Sequence, residues 1–126
     1  MLKKTINYTN YLGENASKEC HFNLTSVELT RMQANAGGDL SAYLTKIVKE
    51  KDAVAILKFV EDLIFTSYGE ISADGERFVK SDNLSLEFSQ TPAYEALFED
   101  LASSEESLVN FVQGILPAKL RKKTDK

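Results

Sequence analysis

The chain has 126 residues, 43% of them hydrophobic and 27% charged, with a formal net charge of −4, a balance that suits one self-sufficient core and excludes disorder throughout. No apolar run approaches the ~20 residues that cross a bilayer; the densest, from Ala53 to Phe65, is broken by Lys58, Glu61 and Asp62. Residues 119–126 hold five Lys or Arg against Asp125, so this end is +4 and residues 1–118 carry −8, which argues against a specific nucleic-acid partner, since affinity for a phosphate backbone depends on cationic side chains.

The first two dozen residues predict a β-hairpin. Ile6 and Tyr8 fall on one face and Thr5 and Asn7 on the other; after the turn-rich stretch 10–15, Cys20, Phe22 and Leu24 alternate with Glu19, His21 and Asn23. Two strands alone are marginal, so the apolar face must lie on helices. Thr25 and Glu28 have capping-box spacing ahead of a helix through Val27, Leu29 and Met32, which Gly37-Gly38 ends. Asp39 caps a second helix through Leu40, Tyr43, Leu44, Ile47 and Val48. Asp52 caps a third, Ala53 to Tyr68, with Gly69 as its stop. That helix is apolar almost all round, which makes it the expected central element, with Leu57, Phe59 or Val60, Leu63 and Ile64 deeply buried.

Asp74-Gly75 marks residues 69–81 as a loop or small hairpin, the segment where motion is expected. Three short helices follow: one opened by Ser81 or Asp82 and carrying Leu84, Leu86 and Phe88; one capped by Thr91 with Pro92 at its first position; and one capped by Ser103 with Glu106, which Pro117 stops. The fold class is therefore α+β, mostly α: an N-terminal β-hairpin packed on a bundle of five to six short helices. Residues 1–118 read as one globular domain and 119–126 as a basic, disordered tail.

Catalytic chemistry has little to work with. His21 is the only histidine and Cys20 the only cysteine; adjacent in a strand, they point to opposite faces, and Cys20 shares the apolar face of Phe22. One of each cannot fill a zinc site. Gly37-Gly38 lacks the strand and spacing of a phosphate loop, and Asp74-Gly75-Glu76 lacks the alternating oxygen ligands of a calcium loop. The acidic pairs Glu61/Asp62, Glu99/Asp100 and Glu105/Glu106 are sequential and diverge on a helix. No enzyme, metal or cofactor is expected. The absence of a disulfide and of an apolar segment behind Lys3-Lys4 predicts a reducing, cytoplasmic setting. What is left is partner binding. Tyr94, Phe98 and Phe111 add more aromatic surface than two short helices need for their own packing, and they are the candidate partner-binding residues, with self-association as a further use of that surface.

The order of features, and two phrases in particular, resemble the tail assembly chaperones of siphophages and prophages of Gram-positive bacteria. Phe88 to Phe98 has the form F-x-x-[ST]-x-A-Y-x-x-[LF]-F, and Phe111 to Pro117 the form F-[IV]-x-G-[IL]-[IL]-P. The resemblance covers residues 1–117 and implies a protein of the infected cell's cytoplasm, absent from the mature virion. It would bind the long helical tape measure protein and keep it soluble while the tail tube grows, with the tail tube protein as a second expected partner of a frameshifted longer product. The reading that competes with it is a small bacterial adaptor or regulatory interaction module.

Overall fold

The computed structural model describes residues 1–117; the expected basic tail, 119–126, lies outside the described residues. The fold is α+β and mostly α, in the order β1 (Leu2–Thr9), β2 (Asn15–Phe22), α1 (Ser26–Ala36), α2 (Leu40–Lys49), α3 (Ala53–Ser67), β3 (Tyr68–Ile71), β4 (Phe78–Val79), α4 (Asp82–Ser89), α5 (Pro92–Ser103) and α6 (Glu105–Ile115). β1 and β2 form the expected hairpin, in register from Leu2 opposite Phe22 to Thr9 opposite Asn15. Its inner face buries Ile6, Cys20 and Phe22, and its outer face carries Thr5, Asn7, Ser17 and Glu19 in solvent. The turn is held by Asn10, whose Oδ1 accepts the N–H groups of Leu12 (2.9 Å) and Glu14 (3.0 Å).

The sheet is larger than the hairpin. β3 adds to β2, with Phe22 opposite Tyr68 and His21 opposite Gly69, and β4 pairs with β3, giving one antiparallel sheet in the order β1-β2-β3-β4. Pairing of residues so far apart leaves no local periodicity to read. It also changes the role of Gly69, expected as a helix stop. α3 ends without a left-handed residue, Tyr68 turning directly into extended backbone, and Gly69 sits where an added Cβ would come within 2.7 Å of both the Phe78 ring and the Val79 carbonyl. Close approach of β4 requires glycine here.

The helix starts follow local chemistry. Thr25 Oγ1 accepts the Glu28 N–H (3.1 Å) while the Glu28 carboxylate accepts the Thr25 N–H (2.9 Å). Asp39, Asp52, Ser81 and Thr91 cap α2, α3, α4 and α5. For α6 the cap is Ser104, which accepts from the Ser107 N–H at 3.2 Å; Ser103, expected in that role, is the last residue of α5 and returns its hydroxyl to the Glu99 carbonyl.

Phe22 stands at the centre of the core. Its ring lies 5.7 Å from Tyr68, 6.2 Å from Phe88 and 5.1 Å from Phe111, while Tyr68 and Phe88 stack at 4.1 Å. These rings come from β2, β3, α4 and α6, so the sheet and the helices share one apolar interior. Lys80, between β4 and α4, ties three segments together: its Nζ donates to the carbonyls of Asn23 (2.5 Å) and Thr66 (3.0 Å) and forms an ion pair with Glu28. The hydroxyls of the buried residues Ser67 and Ser85 donate to carbonyls of α3.

α3 departs from expectation. Phe59, Val60, Leu63 and Ile64 are buried as expected, but Leu57 is 48% exposed and Val54 78%. Neighbouring elements cover α3 at Phe59, Val60, Leu63, Ile64 and Ser67, toward its C-terminal half, and do not reach Val54 and Leu57 nearer its start. Val27 and Leu86, read from sequence as part of apolar stripes, are likewise exposed.

Candidate partner-binding surface

The three aromatic residues singled out from the sequence have different fates. Phe111 is only 2% exposed, packed edge-on against Phe22 in the core, so in this conformation it has no surface to offer. Tyr94 and Phe98, one turn apart on α5, are half-buried on the shoulder of that helix, beside the core positions Ala93, Leu97 and Leu101. The Tyr94 ring meets Phe98 at 5.7 Å, Phe88 edge-on at 5.7 Å and Phe65 of α3 edge-on at 6.5 Å. Burial, and then the charge of nearby Glu61, push its phenol above the usual range.

Phe65 joins these residues to a second apolar region. It is 36% exposed and lies on the same outward face of α3 as Val54, Leu57 and Glu61, residues that recur every three or four positions. On its other side Phe65 lines a groove of about 590 Å³ between α1, α2, α3 and the start of α4, with Met32, Tyr43 and Phe59 among its apolar walls. The groove's charged margin is largely paired: Lys58 with Asp62 at 3.3 Å, and Lys80 with Glu28. An apolar surface therefore runs from the groove over Phe65 to Tyr94 and Phe98.

Sequence reading placed Leu57 in the core and drew no function from Val54 or Phe65. The signal was present in Lys58 and Glu61, whose charges mark the outward side of α3, but the density of apolar residues masked it. The hairpin tip was also passed over: Tyr11 and Leu12 are 82% and 83% exposed on a turn fixed by Asn10. The candidates for chemistry stand apart from this surface. Cys20 is buried, and its pKa is raised to about 11; His21 lies on the opposite, polar face of the sheet. Among the described residues no group of three or more His, Cys, Asp or Glu side chains could hold a metal ion, and no helix there is long and apolar enough to cross a membrane.

The fold is mostly helical, and its most distinctive exposed feature is an apolar surface on helices that also carry exposed carboxylates. The chain belongs to the phage tail assembly chaperone family, whose model matches residues 1–126, in agreement with the resemblance carried by its two C-terminal phrases. It therefore has a chaperone role in phage tail assembly, and that family is not one of enzymes. Neither the curated proteins nor the solved structures include a match to the chain. In the first phrase Thr91 caps α5, Ala93 and Leu97 are buried, and Phe88 meets Tyr94; in the second Phe111, Val112, Ile115 and Leu116 are all buried. Both phrases are signatures of packing.

Proposed function

We propose that this chain binds the tape measure protein and keeps it soluble in the host cytoplasm while tail tube subunits polymerise around it, and that it is released before the virion is complete. The observation that carries this reading is the apolar surface running from the groove through Phe65 to Tyr94 and Phe98. A long helical tape measure chain exposes apolar stripes that aggregate unless covered. A small protein with an apolar groove covers such a stripe by helix-in-groove contact, and its net negative charge adds solubility to the complex. Under the same reading the tail tube protein is the partner of a frameshifted longer product, and the growing tube displaces the chaperone. Covering a long stripe takes many copies, and displacement requires the affinity of each to be modest.

The test is co-expression with the tape measure protein encoded alongside it. Phe98→Ala and Phe65→Ala, each checked for folding by circular dichroism, are expected to remain folded and to release the tape measure into the insoluble fraction. A parent chain that leaves the tape measure as insoluble as no chaperone at all would refute the reading.

A further inference from the structure

The apolar strip has a charge pattern that selects its occupant. Residues 82–117, which contain α4, α5 and α6, hold seven carboxylate side chains and no Lys, Arg or His. Two of the seven, Glu95 and Glu99, each follow a strip aromatic by one residue and so stand about 100° further round α5, on its exposed side. On α3, Glu61 sits within the strip between Leu57 and Phe65, four residues from each, and is also exposed. None of the ion pairs among the described residues involves Glu61, Glu95 or Glu99. Leu57, Phe65, Tyr94 and Phe98 are thus an apolar strip that Glu61 interrupts on α3 and that Glu95 and Glu99 flank on α5. From Leu57 to Phe65 it runs eight residues, about 12 Å or two helical turns.

We propose that this strip takes a cationic amphipathic helix of the partner, with apolar side chains at three- and four-residue spacing laid across Leu57, Phe65, Tyr94 and Phe98 and with Lys or Arg placed to face Glu61, Glu95 and Glu99. The proposal rests on the chaperone reading and narrows it to the segments of the partner that are both apolar and basic. A second copy of this chain fits poorly, because docking strip to strip sets the same carboxylates against each other. Residues 119–126 supply cations, but Leu120 is their only bulky apolar side chain, too little to cover a strip of four. Charge of this kind speeds encounter and sets specificity, and it weakens as salt screens it.

The experiment uses the full chain and two synthetic peptides of roughly 18 residues, long enough to hold a helix. Both carry the same leucine stripe; one has lysines on its flanks and the other glutamates. Fluorescence anisotropy is read at about 50 and 300 mM salt, where screening differs strongly. The lysine peptide is expected to bind at least about tenfold tighter at low salt, with the gap closing at high salt. Leu57→Ser should weaken it about tenfold, and the triple variant Glu61→Gln, Glu95→Gln, Glu99→Gln should abolish the preference. Leu12→Ser, at the hairpin tip, should change nothing. Equal binding of the two peptides overturns the proposal, as does full affinity in Leu57→Ser when its melting curve matches the parent. Tighter binding after removal of residues 119–126 would identify the chain's own end as the occupant, and a dimer in sedimentation that Leu57→Ser dissolves would identify a second copy; either overturns it. Failure here while the parent still solubilises the co-expressed tape measure removes the strip assignment and leaves the chaperone reading standing.

Discussion

The ring of Phe111 on α6 meets the ring of Phe22 on β2 edge-on, with centroids 5.1 Å apart. This contact joins the second family phrase to the hairpin, and it makes Phe111 a folding residue. Phe111→Ala is expected to cost about 3–5 kcal/mol, the range for emptying a buried aromatic site. Urea unfolding measures it, and a loss below about 1 kcal/mol, the size of an ordinary surface change, would contradict the packing.

α3 gives a paired comparison within one helix. Leu63 is fully buried while Leu57 is half-exposed, so Leu63→Ala should cost about 2–5 kcal/mol and Leu57→Ala under about 1 kcal/mol. The two melting curves, recorded side by side, read the difference directly.

This pair also shows where sequence was a sufficient guide. Signals that act within a few residues were legible: the Thr25–Glu28 box, the Asp39, Asp52 and Thr91 caps, and the alternation that put Cys20 and Phe22 inside. Tertiary decisions were not. Whether Leu57 is covered depends on which elements reach α3, and the β2–β3 pairing depends on residues more than forty positions apart. Of the candidate surface, Tyr94 and Phe98 are legible in the sequence only as a surplus of aromatic residues. Phe111 was included on the same ground, and its place in the core became visible only when Phe22 was beside it. Val54, Leu57 and Phe65 were hidden by looking like core.

Lys80 is a second long-range tie. Its ammonium binds Glu28 and the carbonyls of Asn23 and Thr66, with little exposure to solvent. Lys80→Met leaves these acceptors without their donor and is expected to destabilise by about 1–3 kcal/mol. Glu28→Gln should remove part of the same energy, so the double variant should cost less than the sum of the two single losses. Strict additivity in denaturant titrations would show that the ion pair contributes nothing of its own.

Gly69→Ala tests the sheet extension. The new methyl would lie 2.7 Å from the Val79 carbonyl and 2.7 Å from the Phe78 ring. The ring can turn aside, but the carbonyl moves only with β4. A loss of about 1–3 kcal/mol is expected, as for overpacking of a tight site. If Gly69 served as a helix stop and β4 were elsewhere, alanine would be close to neutral, and amide exchange at Ile71 and Val79 would not change.

Alkaline pH should unfold the protein from within. Burial raises the Cys20 pKa from 9.0 to about 11, against a smaller opposing effect of Lys18. Burial likewise raises Tyr68 from 10.0 to about 12, helped by negative charge at Cys20, Glu70 and Glu87. Both groups are acids held neutral in the folded chain, and both release their protons at lower pH once unfolded. Their contribution is complete below about pH 8 and declines as pH rises through 9 and 10 toward the folded values. Each unit of difference corresponds to about 1.4 kcal/mol, so two differences of about two units each should together remove roughly 5 kcal/mol by pH 12. Cys20→Ala, which takes away one of the two titrations, should flatten the first part of that decline even though it lowers stability at neutral pH. A thiol reagent gives an independent reading: at pH 8 Cys20 should react only as fast as the chain opens, and denaturant should accelerate labelling by orders of magnitude. Immediate labelling of the folded protein would mean that the sheet does not cover the thiol, and the alkaline prediction for Cys20 would fall with it.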